Sequence, residues 1–190
     1  MPLLLTGLVL FLGIHSLALI APGIRARVTA RVGEGPWKGL FALLSVAGLV
    51  LIGAGVVAAR STAVVLFTPP AFARYVAIAL MLPVFPLAFA SVLPGTISRR
   101  LGHPLLAATK AWALAHLIAN GTLADAILFA AFLAWAVVER ISLKRRRPRS
   151  LLTAPASRYN DLIALAAGLA LYAAMLGGLH LRLIGVAPLH

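Results

Sequence analysis

The chain has 190 residues, of which 62% are hydrophobic and only 11% charged, with a formal net charge of +13. Soluble domains carry about 25% charged residues, so this balance excludes an ordinary water-soluble protein. The absence of cysteine excludes disulfides, thiolate metal ligands and a cysteine nucleophile.

Several apolar runs approach the roughly 20 residues that a helix needs to cross a bilayer. The expected fold is therefore all-α, an integral membrane helical bundle of about six transmembrane helices, with residues 1–190 forming a single domain. In a soluble protein the positive charge would suggest nucleic acid. Here it is explained by basic loops lying against anionic lipid on one membrane face, so the expected partner is the lipid bilayer and no nucleic acid.

The N-terminal run MPLLLTGLVLFLGIHSLALIAPG has no basic start and is longer than a signal-peptide core, so it reads as a retained first span over about residues 3–21. Pro22-Gly23 stops it, and His15, beside Ser16, is its deep polar intrusion. Residues 24–36 form a basic connector whose spacing of Ile24, Val28 and Val32 against Arg25 and Arg31 predicts a short amphipathic helix on the headgroups. The second span, about 37–58, opens with Trp37 and Lys38 and contains Gly-Ala-Gly at 53–55, small residues that let helices approach closely.

After a loop stopped by Pro69-Pro70, the third span covers about 74–93 and carries Pro83 and Pro86. Interior prolines remove backbone hydrogen bonds and kink a helix, which a membrane tolerates where neighbours re-satisfy the freed carbonyls. The fourth span, about 104–119, starts at Pro104, the favoured first helical position, and ends at Asn120-Gly121. The fifth, about 122–141, leads into the basic block ERISLKRRRPRS. The sixth, about 159–180, ends at His180.

Six spans place connectors one, three and five on one side. With their flanks these hold Arg25, Arg27, Arg31, Lys38, Arg99, Arg100, Lys110, Arg140, Lys144, Arg145, Arg146, Arg147, Arg149 and Arg158. Only Arg60, Arg74 and Arg182 fall on the other. The positive-inside rule then puts the rich side in the cytoplasm and both termini outside.

The stretch RRLGHPLLAATKAWALAHLIANG, residues 99–121, concentrates polar groups in apolar surroundings. Polar side chains in a bilayer are functional-site candidates because they are costly without partners. Histidine is a common metal and haem-iron ligand. His103 and His116 are thirteen residues apart, about 20 Å along one helix, and so cannot share an iron. His15 with His103 or with His116 is a pair that tilt or offset between helices would have to close. His116 and His180, both in the outer half, form a rival pair, and a lone histidine can equally just hydrogen-bond a neighbouring helix.

His190, the last residue, reads as uninvolved. The four carboxylates suggest no paired-carboxylate site: Asp125 suits a helix N-terminus, while Glu139-Arg140 and Arg158-Asp161 read as solvated pairs. No Walker loop, GxGxxG, HExxH or GxSxG occurs.

The segments LGIHSLAL, WKGLFALLSVAGLVLIGAG, LGHPLLAATKAWALAHLIANG, LFAAFLAWAVVERIS and YNDLIALAAGLALYAAMLGGLH together resemble the NnrU family of bacterial membrane proteins over essentially the whole chain. That resemblance implies a bacterial inner (plasma) membrane location and a role tied to denitrification, the reduction of nitrite and nitric oxide. The haem-dependent zeta-carotene isomerase of plants and cyanobacteria is similar to this family, with histidines at the positions of His15, His103 and His116. By that likeness haem b is the expected cofactor. His15 and His103 are its implied iron ligands, and His116 is an exchangeable third.

This chain has Gly102-His103-Pro104 where the isomerase has an arginine before the histidine. The same departure, and the lack of a following tyrosine, sets aside a more distant likeness to membrane methyltransferases. The iron would serve isomerisation of a lipid-soluble polyene, electron transfer or nitric oxide sensing. The competing class is a non-enzymatic membrane factor supporting nitric oxide reductase.

Overall fold

The structure, a computed structural model, describes residues 1–21, 23–145 and 154–189. Pro22 of the first stop signal, Arg146, Arg147 and Arg149 of the basic block, and His190 lie outside the described residues. Among those described the chain is all α, with one isolated antiparallel bridge between Val65 and Thr122. Among the described residues, four segments are long and apolar enough to cross a bilayer: Glu34–Arg60, Ala73–Ala90, Leu123–Leu143 and Asn160–Ile184. Pro2–His15 and Pro104–Ala119 are apolar but shorter. By packing, the chain divides into two compact units, Met1–Phe67 with Thr122–Ala131, and Thr68–Gly121 with Phe132–His190.

In the first unit, α1 (Pro2–His15) packs along α4 (Glu34–Arg60). The first span is not one continuous helix. Ser16 interrupts it as a turn residue (φ −87°, ψ −1°), its N–H shared between Leu12 O and Gly13 O, and only the single turn α2 (Leu17–Ile20) follows. The basic connector does form the amphipathic helix α3 (Ile24–Val32), pinned to the start of α4 by an Arg25–Glu34 ion pair at 2.8 Å.

Lipid tails are as apolar as leucine, so burying apolar surface cannot by itself drive membrane helices together, and close van der Waals packing must. Three glycines provide it. A methyl carbon placed on Gly7 would sit 2.6 Å from Ile52 N, and one on Gly48 would sit 2.9 Å from Phe11 Cβ. On Gly55 it would overlap the Leu4 backbone. Leu4, Gly7 and Phe11 thus meet Gly55, Ile52 and Gly48 in reverse order, as an antiparallel pair requires. Of the Gly-Ala-Gly at 53–55, Gly55 makes the close contact, while Gly53 has nothing within 4 Å. The contact glycines of α4 lie on the buried stripe Gly48, Ile52, Gly55 and Ala59.

In the second unit, α6 (Val84–Ala90) lies against both α8 (Pro104–Ala119) and α10 (Asn160–Ala174), with α5 (Ala73–Met81) beside α8. The break between α5 and α6 falls at Leu82-Pro83, where the two prolines were expected to kink the span. The Leu82 N–H turns to Ala79 O (3.3 Å) instead of its helical partner Ile78 O. The Tyr172 hydroxyl of α10 donates to Ile78 O at 2.8 Å. A neighbouring helix therefore re-satisfies the freed carbonyl, as an apolar surrounding demands. Gly168 lets α10 come this close, since a methyl group there would overlap the Pro86 backbone.

The short α7 (Thr96–Leu101) links α6 to α8, and α9 (Leu123–Leu143) runs through the chain positions of both units. Thr122 caps α9: Asp125 N–H donates to Thr122 Oγ1 (3.2 Å), and that hydroxyl donates to Asp125 Oδ2 (2.6 Å). Asp125 thus occupies the first helical turn, where its charge opposes the helix dipole.

Gly48→Ile or Gly55→Ile forces backbones apart and should lower stability by about 1–3 kcal/mol. Gly53→Ala meets open space and should be neutral or stabilising by up to about 1 kcal/mol. Thermal unfolding of the detergent-solubilised variants checks the contrast.

Candidate functional site

Polar side chains within these apolar helices face one requirement: each must find a partner without water. Several meet it by bonding the carbonyl four residues back. Ser45 reaches Phe41 O (2.7 Å) and Thr109 reaches Leu105 O (2.9 Å). His15 does the same to Phe11 O (2.7 Å), and His116 to Trp112 O (2.8 Å), each through Nδ1.

For the two histidines this bond has a chemical consequence. A carbonyl only accepts, so Nδ1 carries the proton, and in the neutral ring the lone pair is left on Nε2. Metal-ligating histidines are oriented in this manner, one ring nitrogen donating to a carbonyl while the other serves the metal.

In the first unit, His15 closes α1. Its ring stacks on Phe11 (centroids 4.3 Å, planes 29° apart) and meets Phe41 of α4 edge-on at 5.0 Å. The Gly48–Phe11 contact just before it fixes how near α4 comes, and hence where Phe41 stands.

In the second unit, His116 sits in the last turn of α8 beside Trp112 (5.4 Å), which is itself edge-on to Phe132 (5.4 Å, 87°). His116 faces His180, with ring centroids 6.5 Å apart and planes 27° from parallel. The structure therefore brings together the rival pair.

His180 is placed by a local device. After α10 the helix widens into a π turn, Met175–Leu179, in which Gly178 adopts φ +118°, a conformation that favours glycine. His180 then opens α11 (His180–Ile184). Gly185, left-handed at φ +80°, turns the chain so that Val186 O accepts from His180 Nδ1 at 2.6 Å. The lone pair of the neutral His180 ring is thereby also left on Nε2. The sequence signal for this site was the Gly177-Gly178 pair, one residue short of His180. A π turn inside an α-helix frequently marks a functional position.

His103 stands elsewhere. It is the residue before Pro104, with non-helical geometry (φ −141°, ψ 70°), at the opposite end of α8 from His116. Burial and the Arg140 charge hold its imidazole below the ordinary value, partly offset by Glu139. Its neutral, ligand-competent form is therefore favoured at neutral pH.

Asp161, expected as a solvated partner of Arg158, is instead bonded to backbone. It accepts from Thr96 N–H (2.7 Å) and Ile97 N–H (3.1 Å), because the first turn of α7 exposes N–H groups without helical partners. Arg158 lies over the Tyr159 ring.

Among the described residues no three His, Asp or Glu side chains converge on one point. His116 and His180 stand as a pair, and haem iron takes axial ligands from protein in such small numbers.

The sequence profile of the NnrU protein family matches residues 3–188. The chain belongs to the NnrU family. The match runs through both units and includes His15, His103, His116 and His180. No curated protein and no solved structure matches the chain.

The lowered pKa of His103 gives this NnrU protein a pH dependence. The unfolded state binds the proton more readily, so the stability from the neutral ring is present above about pH 6.5 and lost as pH falls towards the folded value. Wild type should therefore lose thermal stability between pH 7.5 and 5.5, and His103→Gln, which does not titrate, should lose less. Melting curves at both pH values measure the difference.

Proposed function

We propose that this NnrU protein is a haem b protein of the bacterial plasma membrane serving nitrogen-oxide respiration, with its basic connectors in the cytoplasm. The observation that carries the reading is the shared posture of three histidines. His15, His116 and His180 each donate Nδ1–H to a backbone carbonyl, which leaves Nε2 as the ligating atom. The residues around them suit an apolar macrocycle: Phe11 and Phe41 flank His15, while Trp112 and His180 flank His116.

His15 and His103 would hold the iron, with His116 as exchangeable ligand, and the residues 1–190 would work as one NnrU-type domain. Bound haem would supply a redox-active or Lewis-acidic iron whose spin state and potential follow from its axial ligands and their hydrogen bonds. This chain's own part is to fix the imidazole tautomers, to keep His103 neutral and to surround the site with apolar helix. An isomerase-like or redox activity would follow from that environment.

Protein purified in detergent should show a stoichiometric b-type spectrum, oxidised and dithionite-reduced, and a positive pyridine haemochrome assay. His15→Ala or His103→Ala should abolish haem retention. Full haem content in both variants would remove them as ligands. Loss confined to His116→Ala and His180→Ala would move ligation to the stacked pair. A colourless protein, even with haem supplied during expression, would favour a supporting factor for nitric oxide reductase.

A further inference from the structure

The second unit carries two adjoining clefts of opposite character. A polar cleft of about 320 Å³ is lined by Thr96, Arg99, Ser157, Arg158 and Asp161, among others. An apolar cleft of about 290 Å³ is lined by residues including Pro83, Pro86, Leu87, Ile97, Leu165 and Leu169. Thr96 of the polar cleft is followed directly by Ile97 of the apolar one, and the Ile97 N–H bonds Asp161 of the polar cleft.

The two are ordered along α10. The polar cleft lies where one candidate span, Ala73–Ala90, has ended and another, Asn160–Ile184, begins. Leu165 and Leu169 are one and two turns further along α10, about 6 and 12 Å from Asp161 at 1.5 Å per residue. The groove has a structural origin, in the break at Pro83 and the close approach of Gly168 to Pro86.

Charge decides the occupant. Two guanidinium groups share the polar cleft with one carboxylate, and both oxygens of Asp161 already accept backbone N–H groups. Arg99 is steadied by Thr96 Oγ1 (3.0 Å), and Arg158 by stacking over Tyr159, a residue type that anchors at headgroup level. Asn160, 3% exposed, holds the cleft's walls together by donating to Pro94 O (2.9 Å) and Pro155 O (3.1 Å). Arginine forks match phosphate oxygens in bidentate geometry.

We propose that these clefts form one binding site for an anionic glycerophospholipid. Its phosphate lies between Arg99 and Arg158, and an acyl chain lies along Ile97, Leu165 and Leu169 against the proline break. The site is independent of haem and needs neither His15 nor His116.

Native mass spectrometry of the full-length protein, delipidated and then supplied with equimolar phosphatidylglycerol and phosphatidylcholine, tests the assignment. Wild type should retain phosphatidylglycerol preferentially. Arg99→Ala/Arg158→Ala should cut that retention at least about tenfold, since the loss of even one charge-assisted hydrogen bond has that effect. Both arginines are exposed, so the fold should survive, with an unchanged melting temperature as control. Arg99→Lys/Arg158→Lys should keep part of the preference. Equal retention of the two lipids by wild type, or unchanged preference in the alanine variant, overturns the proposal. So does full displacement of the lipid by inorganic phosphate, which would make this an anion site without a chain-binding groove.

Discussion

In an apolar surrounding every backbone N–H and C=O, and every polar side chain, must be satisfied from within the protein, because each unsatisfied group costs several kcal/mol. Most features of this NnrU chain follow from that constraint. It accounts for the all-helical architecture and for the carbonyl-directed posture of Ser45, Thr109, His15 and His116. It also accounts for the Tyr172 hydroxyl that meets the carbonyl freed beside Pro83. At the histidines the same bond does two things: it satisfies a polar ring in the helix and it dictates which nitrogen is left to ligate.

Close packing is the second organising influence, and it works through small residues. Gly7, Gly48 and Gly55 bring α1 and α4 into backbone contact, and Gly168 does the same for α10 against the broken α5–α6 segment. Both contacts shape candidate sites. The first sets the aromatic surroundings of His15, and the second opens the groove that adjoins the Arg99–Arg158 cleft. Glycine has a different use at Gly178, where a positive φ breaks the last span and turns His180 towards His116.

Polar residues at the span ends are tied across elements more than they are solvated. Asp161 and Asn160 bind the backbone of the α6–α7 segment, where single-sequence reasoning assigned Asp161 to Arg158. The difference arises because unpaired N–H groups at the start of α7 compete for a carboxylate, and two well-aligned amides outbid one exposed, flexible guanidinium. Such competition depends on where α7 lies relative to α10.

The sequence by itself determined the membrane class, the positions of the apolar helices, the proline break and the histidines worth following. These depend on composition, on local periodicity and on residues such as Pro83 and Pro104 whose geometry is intrinsic. It also carried the family, since the matching segments span residues 3–188. Only the tertiary structure decided which glycines form contacts, that Ser16 ends the first helix, that His180 faces His116, and that Asp161 caps α7. Each of those rests on which faces of separate helices meet. That is a property of helix rotation and offset, which the helical period constrains but does not fix.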